Sequence, residues 1–227
     1  MRPTSADYKE LDYARSISQQ DMDAISRIPG VNSVTQLNQL PFQRGGFNGN
    51  LNDVDDPEIE RRIPRLRFVP VMVTNQQVSE TLGLELVEGR LLEDTDKLLP
   101  NEQNNRPNIL ISESAKKAIY GEESALGQET NRGFVVGVVK DILMYPHLAE
   151  DEQFAVYING IDQRIFMGRH YVIDVEPGQM AFVRAKVRET ILGVEPQRDV
   201  YGIYTLAEHF ERFYRDDKGL AKLFILL

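Results

Sequence analysis

The chain has 227 residues, of which 41% are hydrophobic, and this is enough to bury the core of one large domain or two small ones. Its formal net charge of −9 argues against a nucleic-acid partner or an anionic membrane surface, because both attract clustered Lys and Arg. The absence of cysteine excludes disulfides, thiol catalysis and Cys-based metal sites. The polar N-terminus lacks the apolar core of a secretion signal, so another segment would have to carry the chain across a membrane if it functions outside the cytoplasm.

The N-terminal part predicts one helix followed by one strand. Residues 2–15 are polar and favour only part of an edge strand. Ser18, with Asp21 three positions later, is predicted to cap a helix that ends at Pro29. Residues 31–37 then predict a half-buried strand. The buried stripe of the helix consists of Met22, Ile25 and Ile28.

The middle of the chain alternates loops with short predicted elements. Residues 43–62 are rich in Gly, Asn and Asp and have no periodicity, which predicts a mobile loop or linker. Residues 65–74 predict a strand, and residues 76–82 predict a short helix closed by Gly83. Residues 94–106 are polar again and predict a second loop.

The stretch 108–141 carries the clearest local signals. Residues 108–111, Asn-Ile-Leu-Ile, predict a buried strand, and Ser112 is a suitable N-cap for the helix that follows. Gly121 closes this helix, and residues 133–139 predict a second strand. We therefore expect a strand, a short helix, a loop and a strand in this order.

The C-terminal third predicts three more strands and two helices. The strands are expected at residues 154–158, 171–175 and 200–204, with a helix between the last two that ends at Gly193. The final helix begins at a capping box formed by Thr205 and Glu208. Its apolar positions follow one helical face and are Leu206, Phe210, Phe213, Leu220 and Phe224.

The last five residues, 223–227, are apolar on every face of that helix. On periodicity alone this pattern favours a helix packed into its own core, because a full membrane span needs about 20 apolar residues.

The sequence contains no convincing catalytic, metal or nucleotide site. Asp53, Asp55 and Asp56 lack the Gly and Glu positions of an EF-hand loop and predict a solvated acidic loop. Ser112 lacks the flanking glycines of a nucleophile elbow, and helix capping explains it. No glycine-rich phosphate loop is present. We expect no bound metal, no cofactor and no catalytic residue, because the histidines also lack zinc-ligand spacing: His147, His170 and His209.

Aromatic residues in predicted loops are the remaining candidates for a partner or substrate contact, because interfaces are enriched in this residue type. They are Phe42, Phe47, Tyr145 and Phe166. The alternative is that each of them covers an edge of the core.

Several groups of residues, taken in order, resemble a known family. Ile28–Val34 has the sequence IPGVNSV, and Leu82–Arg90 has the sequence LGLELVEGR. The stretch from Ile109 to Asp141 contains ILISESA, YG, ALGQ and VVGVVKD. This order is similar to the periplasmic core domain of MacB-like ABC transporter permeases, a family that also includes FtsX-like and lipoprotein-releasing permeases.

The resemblance implies an α+β fold with two subdomains. A ferredoxin-like, porter-like βαβ subdomain would comprise residues 1–62 and 152–212, and an inserted mixed α/β, sabre-like subdomain would comprise residues 63–151. Residues 213–227 would form a stalk that leads toward a transmembrane helix. Residues near Ala14 would then lie at the same end of the molecule as the membrane-proximal stalk residues, which are Leu220, Leu223 and Phe224.

For function, the resemblance implies a non-catalytic domain on the extracytoplasmic, periplasmic face of the cytoplasmic membrane. It would couple ATP-driven motion of transmembrane helices to substrate export or release, or to a periplasmic partner. Its implied partners are the transmembrane helices of the same permease, a separate ATP-binding subunit or domain, a second permease copy and a periplasmic adaptor. The residues alone leave two alternatives open, a free-standing hydrolase-like α+β enzyme and an adaptor-like binding module.

Overall fold

The computed structural model describes residues 11–43, 46–98, 106–160 and 170–225, with side chains between residues 13 and 215. Within these ranges the helices are α1 (Leu11–Ser26), α2 (Ile59–Arg62), α3 (Val78–Leu82), α4 (Glu113–Tyr120), α5 (Met180–Val194) and α6 (Leu206–Ile225). The strands are β1 (Val31–Leu37), β2 (Asn48–Gly49), β3 (Val69–Thr74), β4 (Leu86–Gly89), β5 (Asn108–Ser112), β6 (Glu129–Thr130), β7 (Gly133–Val139), β8 (Val156–Asn159) and β9 (His170–Val175).

The strands form two sheets in the described part of the chain. The larger sheet has seven strands in the order β2-β3-β8-β5-β7-β4, and β6 pairs with β7 beside this path. It is mixed, because β3 runs parallel to β8 and β5 runs parallel to β7, whereas β8 and β5 are antiparallel. The smaller sheet consists of β1 and β9, which are antiparallel, with Leu37 opposite His170.

The seven-stranded sheet carries buried side chains on both faces. Ile109 and Ile111 of β5 belong to one apolar cluster, to which α2 and α4 contribute, whereas Leu110 between them belongs to a second cluster. This alternation follows from strand geometry, since successive side chains point to opposite faces. The second cluster also contains Leu37 of β1 and Val78 of α3, so the core of the large sheet extends to the small one.

The two-stranded sheet is covered by α1 and α5. The predicted stripe of α1 is confirmed, because these residues are buried against α5 in a third apolar cluster. The members are Met22 and Ile25 of α1, Ile28 in the turn after it, and Val183, Val187 and Ile191 of α5.

The stretch 108–141 folds as the sequence predicts, in the order β5, α4, β7. Ser112 caps α4 by accepting a hydrogen bond from the Ala115 amide (3.4 Å), and it accepts a second one from the Ala155 amide of the neighbouring strand region (3.0 Å). Gly133 opens β7 with φ +148°, and a Cβ atom there would lie 2.0 Å from the Pro107 carbonyl oxygen. Glycine is therefore required at this position.

Helix α1 begins at Leu11, well before the predicted N-cap. The prediction that Ser18 caps this helix is wrong, and so is the predicted edge strand where it covers residues 11–15. Ser18 is fully buried within the helix, where its hydroxyl donates to Gln36 Oε1 on β1. A tertiary hydrogen bond explains this serine, and the local sequence does not distinguish that role from a cap.

Strand β1 is more deeply buried than its alternating pattern predicts. Each residue from Ser33 to Leu37 is buried, rather than every second one. The reason is that β1 contacts α1 as well as α3 and β3, so both of its faces are covered.

The predicted mobile loop at residues 43–62 contains β2 and α2, so that prediction is wrong. Leu51 and Ile59 are buried in the first apolar cluster, and the Leu51 amide donates to the Leu66 carbonyl (2.8 Å). Burial of a large apolar side chain contributes about 1.5–3 kcal/mol, so a few such residues anchor a polar segment.

Residues 200–204 form no strand, contrary to the prediction. Val200 and Ile203 pack against the third apolar cluster instead, and the ferredoxin-like detail of the predicted fold is not confirmed. Strand β8, which the sequence division places in the outer part 152–212, pairs with β3 and β5 of the large sheet. The division into two subdomains stays a prediction.

Candidate functional site at the junction of the two sheets

The chain leaves β1 and runs directly onto the large sheet. The Asn38 amide donates to the Val73 carbonyl (3.3 Å), and the Asn38 side chain donates to the Val71 carbonyl (3.0 Å). The same side chain accepts from the Val73 amide through Oδ1 (3.0 Å). Asn38 thus forms hydrogen bonds to β3 like those of a neighbouring strand residue, and these bonds fix the following segment against β3. We refer to residues 38–43 as the strap.

Buried polar contacts reinforce this junction. Thr35 donates its hydroxyl hydrogen to Asn75 Oδ1 (2.6 Å), and its oxygen lies 2.9 Å from the hydroxyl oxygen of Thr74. Gln39, which is 2% exposed, donates from Nε2 to the Phe47 carbonyl (3.0 Å). Since buried hydrogen bonds leave costly unpaired groups when they break, these contacts favour a single arrangement of the two sheets.

The other end of the strap is bound to α6 and to the loop after β7. The Phe42 amide donates to the Met144 carbonyl (2.9 Å). Nε2 of His209 lies 2.8 Å from the Pro41 carbonyl oxygen, and because a carbonyl only accepts, Nε2 is the donor. The strap therefore connects α6 to the seven-stranded sheet.

An aromatic cluster surrounds this connection. The Phe42 ring meets Phe210 edge to face, with centroids 5.0 Å apart. The His209 ring stacks on Tyr204 at 5.5 Å, and the Arg212 guanidinium lies 4.5 Å from the centroid of the Tyr204 ring. Aromatic pairs of this geometry contribute about 0.5–1.5 kcal/mol beyond the area they bury.

Phe42 has an unusual backbone conformation. Among the described residues it is the one non-glycine residue with a positive φ, at 58°. A bulky side chain in this region costs about 1–3 kcal/mol and persists when surrounding contacts hold it. The hydrogen bond from the Phe42 amide to the Met144 carbonyl and the ring contact with Phe210 are such contacts.

Of the four predicted contact aromatics, Phe42 belongs to the strap, and Phe47 and Tyr145 lie beside it. Phe42 and Phe47 are half-buried, and Tyr145 is half-buried with its hydroxyl donating to Asn48 Oδ1 (3.0 Å). The Arg65 guanidinium lies 5.7 Å from the centroid of the Tyr145 ring, and burial lowers the pKa of Arg65. These rings have contacts within the chain, and their role toward a partner stays a prediction.

The remaining predicted site residues lie outside the described parts. Phe166 belongs to the segment 161–169, and the side chains of the stalk lie beyond residue 215. The predictions for the stalk residues therefore stay untested: Leu220, Leu223 and Phe224.

The structure contains a buried ion pair that sequence reasoning missed. Asp21 of α1 has a fully buried carboxylate that accepts from Arg198, a residue in the connection between α5 and α6. The Tyr171 hydroxyl of β9 also donates to this carboxylate (2.6 Å). Asp21 is far from Tyr171 and Arg198 in the sequence, so local patterns do not predict this contact. The only sequence signal is an acidic residue on the predicted buried side of α1.

A second buried carboxylate stabilises the large sheet. Asp96 accepts from both terminal nitrogens of Arg90 (2.6 and 2.8 Å) and from the Asn108 side chain at the start of β5 (2.6 Å). Hydrogen bonding from Arg90 is the main reason that the pKa of Asp96 falls from its ordinary 3.8 to about 2. The charged form is therefore favoured strongly in the folded chain.

The titratable residues considered for chemistry are dispersed or internally bonded. In the described ranges, no three His, Asp or Glu side chains lie close enough together to hold a metal ion. The acidic run is partly paired, because Asp53 accepts from the Asp55 amide (2.7 Å) and Asp56 pairs with Arg62. Burial, followed by the nearby charge of His209, lowers the pKa of His170.

These observations define a class of fold, a mixed α/β domain in which a small helix-covered sheet is joined to a larger curled mixed sheet. This is the fold of MacB-like periplasmic domains. The periplasmic region of MacB from Actinobacillus actinomycetemcomitans matches with a TM-score of 0.52 and 19% identity, over 80% of this chain and 75% of that chain. The extracellular domain of the noncanonic ABC-type transporter YknZ from Gram-positive bacteria matches with a TM-score of 0.51 and 14% identity, over 82% of this chain and 88% of that chain.

No protein-family model matches the sequence, and no curated protein does. Among the described residues, no helix has the length and apolar character needed to cross a membrane.

Proposed function

We propose that this chain is the extracytoplasmic domain of an ABC-type transporter permease, in which it passes motion from membrane helices to a substrate or a periplasmic partner. The observation that carries the proposal is the fold shared with the MacB and YknZ domains over about four fifths of the chain, 80% and 82%. The order of the sequence motifs supports the same assignment independently. Fold likeness alone fits many functions, so the α6 connection is the second support.

Helix α6 suits the role of a stalk. Its 20 residues extend about 30 Å, far more than the strap contacts cover. Its first turn is closed by the predicted capping box, since the Thr205 amide donates to Glu208 (2.8 Å) and the Glu208 amide donates to Thr205 (3.1 Å). A helix fixed at one end transmits displacement of its other end to the structure that holds it.

The positions of the two termini are part of the proposal. Tyr13, near the start of α1, donates its hydroxyl to Glu195 just after α5 (2.6 Å), so these two ends lie together. We expect the distal part of α6 to point toward the same side, because both ends of a domain that lies between two membrane helices must reach one bilayer surface. The subdomain division and the stalk beginning near residue 213 belong to the same proposal.

The proposed domain is not catalytic. The Ser112 hydroxyl oxygen accepts hydrogen bonds from two backbone amides. The Ser114 hydroxyl donates a hydrogen bond to Asp141, and its described contacts include no histidine. A free-standing hydrolase would need a nucleophile bonded to a general base, and neither serine fits that arrangement. An adaptor-like module remains the alternative that an experiment must separate, since it would share a surface role without the transport partners.

The proposed partners are the membrane helices of the same permease and an ATP-binding subunit or domain. A second permease copy and a periplasmic adaptor would complete the assembly. Motion driven by ATP would enter through α6 and leave through the seven-stranded sheet.

Site-directed labelling in intact cells tests this function, because the chain has no cysteine of its own. The full gene product would carry Glu122→Cys, at an exposed position after α4, and would be treated with a membrane-impermeant maleimide. We expect labelling without permeabilisation, together with co-purification of an ATP-binding protein from detergent-solubilised membranes. The matched control is Ala125→Cys, which is fully buried and should stay unlabelled in the folded protein.

Labelling of position 122 only after permeabilisation would place the domain in the cytoplasm and contradict the proposal. External labelling without any ATP-binding partner would favour the adaptor-like module instead.

A further inference from the structure

We propose that the strap holds α6 in one direction relative to the seven-stranded sheet and can release it. In this latch, the contact that breaks is the one between the Phe42 ring and α6. The meaning of this latch for transport rests on the proposed function, but its existence in the isolated chain does not. The inference is carried by three observations: unequal attachment of the two strap ends, the conformation of Phe42, and the exposure of the ion pair that joins α6 to α5.

The two ends of the strap are attached with different strength. At the β3 end, Asn38 makes three hydrogen bonds to β3 and Gln39 is almost fully buried. At the α6 end, Pro41 is buried and its carbonyl accepts from His209, but Phe42, His209 and Phe210 are only half-buried. Local opening starts where few contacts are buried, so release is expected at α6 while the β3 end stays attached.

The backbone of Phe42 favours release. Its positive φ of 58° is an unfavourable conformation for a residue with a large side chain. Detachment of the ring from Phe210 would allow Phe42 to return to an ordinary conformation. When contacts on both sides hold a strained residue, the segment is expected to have two discrete states, attached and released, rather than a continuous range of conformations.

The described ion pair between α6 and α5 is weak by comparison. Arg184 of α5 pairs with Glu208 at 2.9 Å, but the two side chains are 44% and 45% exposed. Surface ion pairs of this type contribute little to stability and weaken further with salt. The strap contacts are therefore expected to control the angle between α6 and the large sheet.

The test follows that angle through the distance between two spin labels, measured by pulsed electron–electron double resonance on the 227-residue chain. The labels are attached to introduced cysteines, since the chain has none of its own. One spin label replaces Arg215 on α6 and the other replaces Glu122 on the large-sheet side, both at exposed positions. A second pair, at Glu80 of α3 and Glu122, does not include α6 and therefore reports on changes elsewhere in the domain.

Two substitutions separate the ring from the backbone. Phe42→Ala removes the ring and keeps the energetic penalty for a positive φ, whereas Phe42→Gly removes both the ring and most of that penalty. We expect both to shift or broaden the distribution between positions 215 and 122 by about 5 Å or more, a displacement of one helical turn. The control is Leu206→Ala, at an exposed α6 position, which should leave the distribution as in the wild type.

The proposal is wrong if both Phe42 variants keep the wild-type distribution between α6 and the large sheet. It is also wrong if only Phe42→Ala changes this distribution, because the backbone conformation of residue 42, and not its ring, would then determine the position of α6. Should either variant also disturb the pair at positions 80 and 122, Phe210→Ala replaces it, since it removes the same ring contact from the α6 side. The labelling experiment in cells is independent of these results, so the latch and the transport role can fail separately.

Discussion

The two sheets of this domain are stabilised in different ways. The seven-stranded sheet has apolar clusters of ten or more buried residues on each face. The two-stranded sheet has a smaller apolar cluster, so buried polar side chains such as Ser18, Asp21 and Gln36 make up a larger share of its core, although they also occur around the large sheet.

This difference has consequences for how each region responds to change. Apolar burial is a sum of many small contributions, so a large core loses stability gradually. A buried polar pair is different, because removal of one partner leaves the other without compensation in a low dielectric. We therefore expect the region around β1 and β9, where α6 begins, to be the more easily switched part of the domain.

The largest effect is expected from the buried ion pair of the small region. Asp21→Ala should destabilise the chain by about 3–5 kcal/mol, because Arg198 would stay largely buried without its carboxylate partner. Urea denaturation followed by circular dichroism measures the free energy of unfolding, and hydrogen exchange locates the loss.

Asp23→Ala is the matched control, since Asp23 lies on the exposed side of the same helix and should change stability by less than about 0.5 kcal/mol. Equal effects of the two substitutions would mean that the small region does not depend on its buried pair, and the comparison between the two regions would lose its basis.

The large region has one comparable carboxylate, at Asp96. Asp96→Asn should cost about 1.5–3 kcal/mol through the loss of charged hydrogen bonds to Arg90. Because the folded pKa is depressed to about 2, the stabilisation is complete above the ordinary value of 3.8 and disappears as the pH falls from there toward 2.

Denaturation of the wild type and Asp96→Asn at pH 7 and near pH 3 provides the measurement. The gap between the two proteins should narrow in acid. A gap that stays constant would show that Asp96 acts through its shape and not through its charge.

A smaller effect is expected at the best-predicted position of the chain. Ser112→Ala should cost about 1–2 kcal/mol, because the amide of Ala115 loses its cap and the amide of Ala155 loses its acceptor. Ser26→Ala, an exposed serine at the end of α1, is the control. If the two alanine variants have the same free energy of unfolding, the capping interpretation is wrong.

The sequence predicted well those features that depend on neighbouring residues. The β5–α4–β7 order, the Ser112 cap and the Thr205–Glu208 box all follow from turn and cap chemistry within a few positions. The family resemblance added the class of fold, which local patterns alone do not define.

Long-range contacts account for the predictions that failed. Ser18 matches a cap locally, but its hydroxyl is bonded to Gln36 of a separate strand. The polar segment around Leu51 has no periodicity, and yet it is fixed by burial under the large sheet. The strap was likewise not predictable as a unit, because the partners of Pro41 and Phe42 lie more than a hundred residues further along the chain.

The smallest expected effect tests the comparison through pH. His170 lies at the end of the two-stranded sheet, opposite Leu37, and its folded pKa is lowered by burial and then by the charge of His209. A histidine with a depressed pKa is neutral in the folded chain, so its contribution is complete above the ordinary value of 6.5 and is lost as the pH falls below it. The small region should therefore loosen in mild acid, before the pH range in which Asp96 acts on the large one.

Hydrogen exchange at pH 7.5 and 5.5 measures this order region by region. In the wild type, the amides of β1 and β9 should lose protection relative to β5 and β7 at the lower pH, after correction for the intrinsic exchange rate. His170→Gln should remove most of that relative loss, whereas His147→Gln, at an exposed position, should retain it. If both regions lose protection together in all three proteins, the domain behaves as one cooperative unit in mild acid, and His170 does not separate the response of the small sheet from that of the large one.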